Sequence, residues 1–214
     1  MPSNRTFIIK TDEHAPVTAC WVKPSDVNRL AAEHFICERY WLSFNACITQ
    51  LPEHILAVYQ NDRMVAACGI QLAETRALFS EQYMTQSLGT CRVLGQLAPA
   101  REQIAEVGSM ATLGRRYLPF LVDAIVLALR DIHRALVLFT ATRGLAHFLE
   151  RRGIELEKLA TAAREKLKSD NRADWGSYYA HQPSVFAGWT DSYSRSTGEL
   201  AHLSHTAFWE QAHA

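Results

Sequence analysis

The chain has 214 residues, 48% of them hydrophobic, and its 22 Lys plus Arg balance 22 Asp plus Glu. That length suits one domain of ordinary size with a substantial core. A formal charge of zero argues against bulk electrostatic binding to nucleic acid or to an anionic membrane.

The five cysteines, Cys20, Cys37, Cys47, Cys68 and Cys91, are odd in number and irregularly spaced, with no Cys-x-x-Cys pair. A zinc ribbon is therefore set aside, and reduced thiols in a cytoplasmic protein are expected rather than a disulfide framework. The start of the chain lacks the apolar run of a signal peptide, and no stretch approaches the roughly 20 apolar residues of a membrane-spanning helix. No stable membrane insertion is expected.

The spacing of Val27, Leu30, Ala31, His34, Phe35 and Tyr40 predicts a helix over 24–40, with Ser25 or Asp26 able to cap it. Residues 54–60 and 64–72 are compact apolar runs separated by Asn61-Asp62-Arg63, which reads as a β-hairpin. Residues 77–84 read as a short helix or strand, and 85–100, with Gly89, Gly95 and Pro99, as loop. A strand follows at 103–110, then a buried helix at 117–130 with Pro119 in its first turn, where a missing N–H costs nothing. The run 135–142 is apolar on both faces and reads as an internal strand. A helix opens at Gly144 and is expected to end at Gly153. Leu156, Leu159, Ala163 and Leu167 predict a charged amphipathic helix over 155–168. The composition then shifts over 169–214, which is rich in Ser, Tyr and His and holds Trp175, Trp189 and Trp209. The sum is an α/β domain in which 104–153 forms a strand–helix–strand–helix unit with a right-handed crossover.

That unit carries the chemistry. Alternation places Ile104, Glu106 and Gly108 on one face of their strand and Ala105, Val107 and Ser109 on the other. A carboxylate among apolar neighbours has a raised pKa, which suits a general base. The alternative for Glu106 is a structural pair with an arginine. Gly108, Ser109 and Met110 can offer backbone groups to a pantetheine arm or to an oxyanion, or form an ordinary strand end. Gly114-Arg115-Arg116 ahead of a helix makes an anion site suited to a phosphate, or a solvated basic cap. Thr140 and Thr142 share a face of the second strand and either line a splayed cleft or satisfy the sheet. Two polar–aromatic clusters upstream, Cys37-Glu-Arg-Tyr-Trp41 and Phe79-Ser-Glu-Gln-Tyr83, supply acceptor-binding candidates. For Arg39 an ion pair amid packed aromatics is the stronger reading. Asp174-Trp-Gly-Ser-Tyr-Tyr179 is an aromatic run that closes over a ligand or packs on the core. The nine histidines show no ligand spacing, so no metal is expected, and neither a Gly-x-Ser-x-Gly elbow nor a Walker loop is present.

Arg39-Tyr-Trp, Leu51-Pro-Glu-His-Ile-Leu-Ala-Val58, Phe79-x-Glu-Gln-Tyr83, Ile104-x-Glu-Val-Gly108, Phe139-Thr-Ala-Thr142 and Trp175-Gly-x-Tyr-Tyr179 together resemble the thermostable hemolysin family, from about residue 22 to 188. The family's fold looks like that of GNAT-type acyltransferases and, more distantly, acyl-homoserine-lactone synthases. The resemblance implies a mixed central sheet flanked by helices over 1–168, with an aromatic-rich extension over 169–214 packed on the same domain. It implies acyl transfer from an acyl-pantetheine donor, acyl carrier protein or CoA, to a small-molecule amine or hydroxyl acceptor. Glu106 and Ser109 would be catalytic. Val107, Gly108, Met110, Arg115, Arg116, Phe139, Thr140 and Thr142 would hold the donor. Arg39, Trp41, Phe79, Glu81 and Gln82 would meet the acceptor. GNAT enzymes carry a glycine-rich phosphate loop, whereas Thr112-Leu-Gly-Arg-Arg-Tyr117 has one glycine, which tilts the expected donor toward a carrier protein. The alternatives are a membrane-active hemolysin, as the family name suggests, and a non-catalytic module that binds acyl-thioesters.

Overall fold

The computed structural model describes residues 5–11, 16–168 and 174–193. In chain order the elements are β1 (Thr6–Lys10), β2 (Val17–Val22), α1 (Arg29–Phe44), β3 (His54–Gln60), β4 (Arg63–Leu72), β5 (Arg92–Val93), β6 (Gln96–Leu97), β7 (Ile104–Thr112), α2 (Leu118–Asp131), β8 (Leu136–Ala141), α3 (Arg143–Glu150), β9 (Glu157–Thr161) and β10 (Ser184–Trp189). Eight strands make one mixed sheet in the order β1-β2-β3-β4-β7-β8-β10-β9, and β5 pairs with β6 apart from it. Neighbours in the large sheet are antiparallel except β7 and β8, which run parallel with α2 as their crossover.

Helices cover both faces, which is why the central strands read as continuous apolar runs. On one face, Leu121, Ile125 and Ala128 of α2 and Ala146 and Leu149 of α3 pack on Leu56, Cys68, Ile70, Val107 and Ala141. On the other, Ala32, Ile36 and Tyr40 of α1 pack on Ile55, Ala57, Ala67 and Ala111. The buried positions of α2 recur at helical spacing, and Pro119 lies in its first turn as expected. Helix α1 runs four residues beyond the expected end, to Phe44. It stops at Asn45, whose left-handed backbone (φ 54°) turns its N–H onto Trp41 O at 2.8 Å. The β3–β4 hairpin closes through two residues, Asn61 and Asp62, both with positive φ (50° and 59°). That is the type I′ geometry favoured by Asn and Asp.

Two expectations are corrected. Residues 155–168 form no amphipathic helix: they give edge strand β9 and a 3-10 turn over Arg164–Lys166. Glu, Lys, Leu and Ala favour a helix locally, but β9 is set by its long-range pairing with β10 (Val185 against Ala160), and tertiary pairing overrides propensity. Residues 85–100 are more ordered than a loop, holding the β5–β6 hairpin around Leu94 and Gly95. Of the segment 169–214, residues 174–193 are described. Their strand β10 lies inside the sheet, between β8 and β9, whereas Trp209 is outside the described residues.

Candidate active site

Strands β7 and β8 pair only from Ile104–Leu136 to Val107–Phe139. Beyond that point β7 stays with β4 as far as Thr112, and β8 stays with β10 as far as Ala141. The two parallel strands therefore part into a cleft. On the β4 side the register slips between Ala67 and Gly69, which sets Ser109 and Met110 together against Cys68. Ser109 takes a positive φ of 51° there. Such a bulge removes residues from the ladder and re-aims their backbone groups.

A cavity of about 690 Å³ opens at this parting. Glu106, Val107, Gly108 and Ser109 line it from β7, Thr140 from β8, Tyr40 from α1, and Trp175 and Tyr178 from the segment before β10. Its aromatic wall is contiguous. Ring centroids lie 5.7 Å apart for Phe79–Trp175, 5.4 Å for Trp175–Tyr178 and 6.3 Å for Tyr40–Tyr178. Two close approaches hold the wall in place. A Cβ on Gly176 (φ +49°) would fall 2.1 Å from Phe44 O, and one on Gly69 would fall 2.5 Å from Pro52, itself a lining residue. Only glycine lets the Phe44 backbone and the Pro52 ring come this near.

Glu106 is 5% exposed. Its carboxylate accepts N–H bonds from Phe79 (2.6 Å) and Ser80 (2.8 Å) at the start of the 3-10 turn Phe79–Tyr83. Burial is the largest influence on this carboxyl and pushes its pKa up to about 7; the bonds from Ser80 and Phe79 act against it, and the nearby Glu81 charge adds to the rise. A carboxyl so tuned is divided between its acid and base forms near neutrality. The turn that delivers the two N–H groups is itself anchored. Glu81 accepts from Leu78 N (2.9 Å) and pairs with Arg101 (2.7 Å). Tyr83 shares a 2.6 Å hydroxyl bond with Tyr179, and Lys166 donates to Tyr83 O. Burial raises the Tyr83 and Tyr178 phenols, so both are neutral donors at physiological pH.

A second cavity, of about 680 Å³, lies past the far end of β7. Its walls are Gln60, Asn61, Arg63, Val65, Leu113, Gly114, Arg115, Arg116 and Tyr117, so three guanidiniums surround the approach to α2. Arg116 donates to Tyr117 Oη (2.8 Å) and sits 4.7 Å from that ring's centroid.

The structure gathers Glu106, Val107, Gly108, Ser109, Thr140, Phe79 and Gln82 around the first cavity, and Arg115 and Arg116 around the second. The other sequence candidates line neither. Met110 packs against the core, and Phe139 stacks on Phe186 at 6.0 Å. Thr142 precedes α3, and Glu81 braces the turn below Glu106. Arg39 pairs with its neighbour Glu38 at 3.2 Å, and Trp41 is 55% exposed on α1. Sequence reasoning passes over Gln71, Arg76 and Lys168 among the lining residues. For Gln71 a signal existed, an amide inside an apolar strand. Among the described residues no group of three or more His, Cys, Asp or Glu could hold a metal. Among them, too, no helix is long and apolar enough to cross a membrane.

The fold is GNAT-like. The acyl-homoserine-lactone synthase LasI superposes with a TM-score of 0.53 at 13% identity, covering 83% of this chain and 90% of LasI. FeeM, an N-acyl amino acid synthase from uncultured soil microbes, gives 0.52 at 13% identity over 83% of this chain and 92% of FeeM. TofI without ligand gives 0.51 at 11% identity, over 80% of this chain and 90% of TofI. No curated protein matches in sequence. The family model described as Thermostable hemolysin matches residues 22–193, and the chain belongs to that family.

Proposed function

We propose that this protein is an acyltransferase that moves an acyl group from a pantetheine thioester, on acyl carrier protein or CoA, to an amine or hydroxyl acceptor. The observation that carries the reading is the parting of β7 and β8 beside a buried carboxyl, with a basic cavity at the far end of the same strand. The strand from Glu106 to Thr112 spans about 20 Å at ~3.3 Å per residue, the order of an extended pantetheine arm. In this reading the donor's phosphate rests among Arg63, Arg115 and Arg116 at the N-terminal side of α2, where the helix dipole adds positive potential. The arm follows β7, and the bulged backbone at Ser109 and Met110 hydrogen-bonds it and the developing oxyanion.

Each carboxylate oxygen of Glu106 keeps acceptor capacity after its backbone bond. It takes the proton from the acceptor's nitrogen or oxygen as that atom bonds to the thioester carbon. The carbon–sulfur bond breaks, and the proton ends on the departing sulfur. A pKa of about 7 leaves enough carboxylate to act as base and enough drive to return the proton. LasI and FeeM, by their names, join acyl groups to small acceptors, which supports the same class here.

Thiol release tests this, using acyl-CoA and acyl-carrier-protein donors of several chain lengths with amine and amino-acid acceptors. Acceptor-dependent release should appear in the wild type and fall about 10²-fold or more in Glu106→Gln. Full activity in that variant refutes the role of Glu106, and absence of release with every donor refutes the reaction class.

A further inference from the structure

Arg76 lies on the wall of the first cavity, held there by one side-chain bond. Its Nε donates to Gln71 Oε1 at 2.6 Å. Gln71 is 5% exposed, and its amide cannot turn. Its Nε2 donates to Thr75 Oγ1 (2.6 Å) and Leu72 O (3.1 Å). The Thr75 hydroxyl spends its own proton on Leu72 O at 2.9 Å, so it can only accept from Gln71. The amide oxygen is thus locked toward Arg76, and the guanidinium plane is fixed through its Nε. Among the described residues its two Nη groups have no partner. Arg76 is an exposed residue, and the Gln71 bond holds its guanidinium as an oriented fork, the geometry that takes a carboxylate bidentately.

The position of this fork relative to Glu106 is set by the sheet. Gln71 and Glu106 are register partners on β4 and β7, and directly opposed residues project side by side, with Cβ atoms about 5 Å apart. Arg76 and Glu106 nevertheless do not pair: the Glu106 oxygens bond the Phe79 and Ser80 amides, and the Arg76 Nε bonds Gln71. A cation and a base therefore face one cavity with a gap between them. The other charged residue on the lining is Lys168, also a cation. Around this gap stand Tyr40, Phe79, Trp175 and Tyr178.

We infer that the acceptor is an amino acid, its carboxylate held by Arg76 with Lys168 adding charge, its amine directed at Glu106 and its side chain against the aromatic wall. This rests on the acyltransferase reading and narrows its acceptor to an amine that carries a carboxylate. Arg76 is then the residue that selects the acceptor rather than one that moves protons.

The test uses matched pairs, L-phenylalanine against phenethylamine and L-leucine against isoamylamine, titrated calorimetrically onto the full chain with an acyl-CoA thioether analogue present. The wild type should bind the carboxylate member of at least one pair about 10-fold or more tighter. Arg76→Met should erase that preference while leaving the amine's affinity unchanged, and Arg76→Lys should restore part of it. Equal binding of both members, equal weakening of both by Arg76→Met, or no binding by either amino acid overturns the inference. Melting curves confirm that the variants fold. Thiol release in parallel keeps the two claims apart. Release with simple amines and no carboxylate preference sinks the acceptor class and leaves the acyltransferase standing. Selective binding with no release from any donor does the reverse.

Discussion

Replacing Glu106 by Gln should change how stability depends on pH, in a direction the geometry fixes. The folded protein holds this carboxyl at about 7 rather than at 4.5, a displacement worth about 3 kcal/mol. The folded state therefore binds the proton more tightly than the unfolded chain. The stability linked to that proton is present in full below pH 4.5 and is lost as the pH rises through 7. Glutamine is close in shape and cannot ionise. It still accepts one of the bonds from Phe79 and Ser80, but its NH₂ faces the other N–H. The protonated acid's hydroxyl oxygen can still accept that N–H, so near pH 4.5 the variant should be less stable than wild type by about 1 kcal/mol, the worth of one unmade bond. By pH 8 the variant should have gained about 3 kcal/mol relative to wild type. Guanidinium unfolding of both proteins at half-unit steps from pH 4.5 to 8 measures this, and taking the difference cancels every other titrating group. A difference that stays constant within about 1 kcal/mol, or that grows toward acid, would refute the account of a carboxyl raised by burial.

Gly176→Ala should lower stability by about 2 kcal/mol or more in chemical denaturation, since its left-handed backbone and the 2.1 Å approach to Phe44 O leave no room for a methyl group. The same variant should unseat Trp175 and Tyr178 from the cavity, which near-ultraviolet circular dichroism would report. Glu74→Gln should cost about 2 kcal/mol at pH 7, because it breaks a fork of 2.6 and 3.0 Å to the buried Arg134. Burial pushes the Glu74 carboxyl up, but the Arg134 bonds outweigh it and hold its pKa below the usual value. This contribution is therefore present above pH 4.5 and lost as the pH falls further, which acid titration of the two proteins would show. Arg115→Ala and Arg116→Ala should each raise the donor KM about 10-fold, by loss of a charge-assisted bond, with kcat little changed. Initial-rate kinetics over a range of donor concentration would separate the two constants.

The sequence is most legible where structure is local. Apolar runs flanking Asn61-Asp62 announce the β3–β4 hairpin, and the helical stripe after Pro119 announces α2. Glu106 is conspicuous as the one carboxylate inside the otherwise uncharged run Ile-Ala-Glu-Val-Gly. The cavity around it was harder to see. Its wall draws on Tyr40, Gln71, Arg76, Phe79, Trp175 and Tyr178, which lie far apart along the chain and have no common spacing. Strand β9 is hidden from the sequence for the same reason. Its partner β10 begins 23 residues after β9 ends, Thr161 to Ser184, so nothing near Glu157 or Lys158 distinguishes an edge strand from a helix. For Arg39 the sequence offers an ion pair amid aromatics as the stronger of two readings, and the structure gives it Glu38 as partner.

The place of β10 bears on how the protein comes to be made. Strand β8 lies between β7 and β10, and Ala141 waits for Ser184. During synthesis from the N-terminus, β8 would emerge with one edge unpaired, and an open apolar edge invites association with other chains. The segment that brings β10 also brings Trp175 and Tyr178. Sealing the sheet and walling the cavity are thus one late event. A chain interrupted before this point would lack its cavity wall and expose a sticking edge, so the same few residues complete the cavity and guard against aggregation.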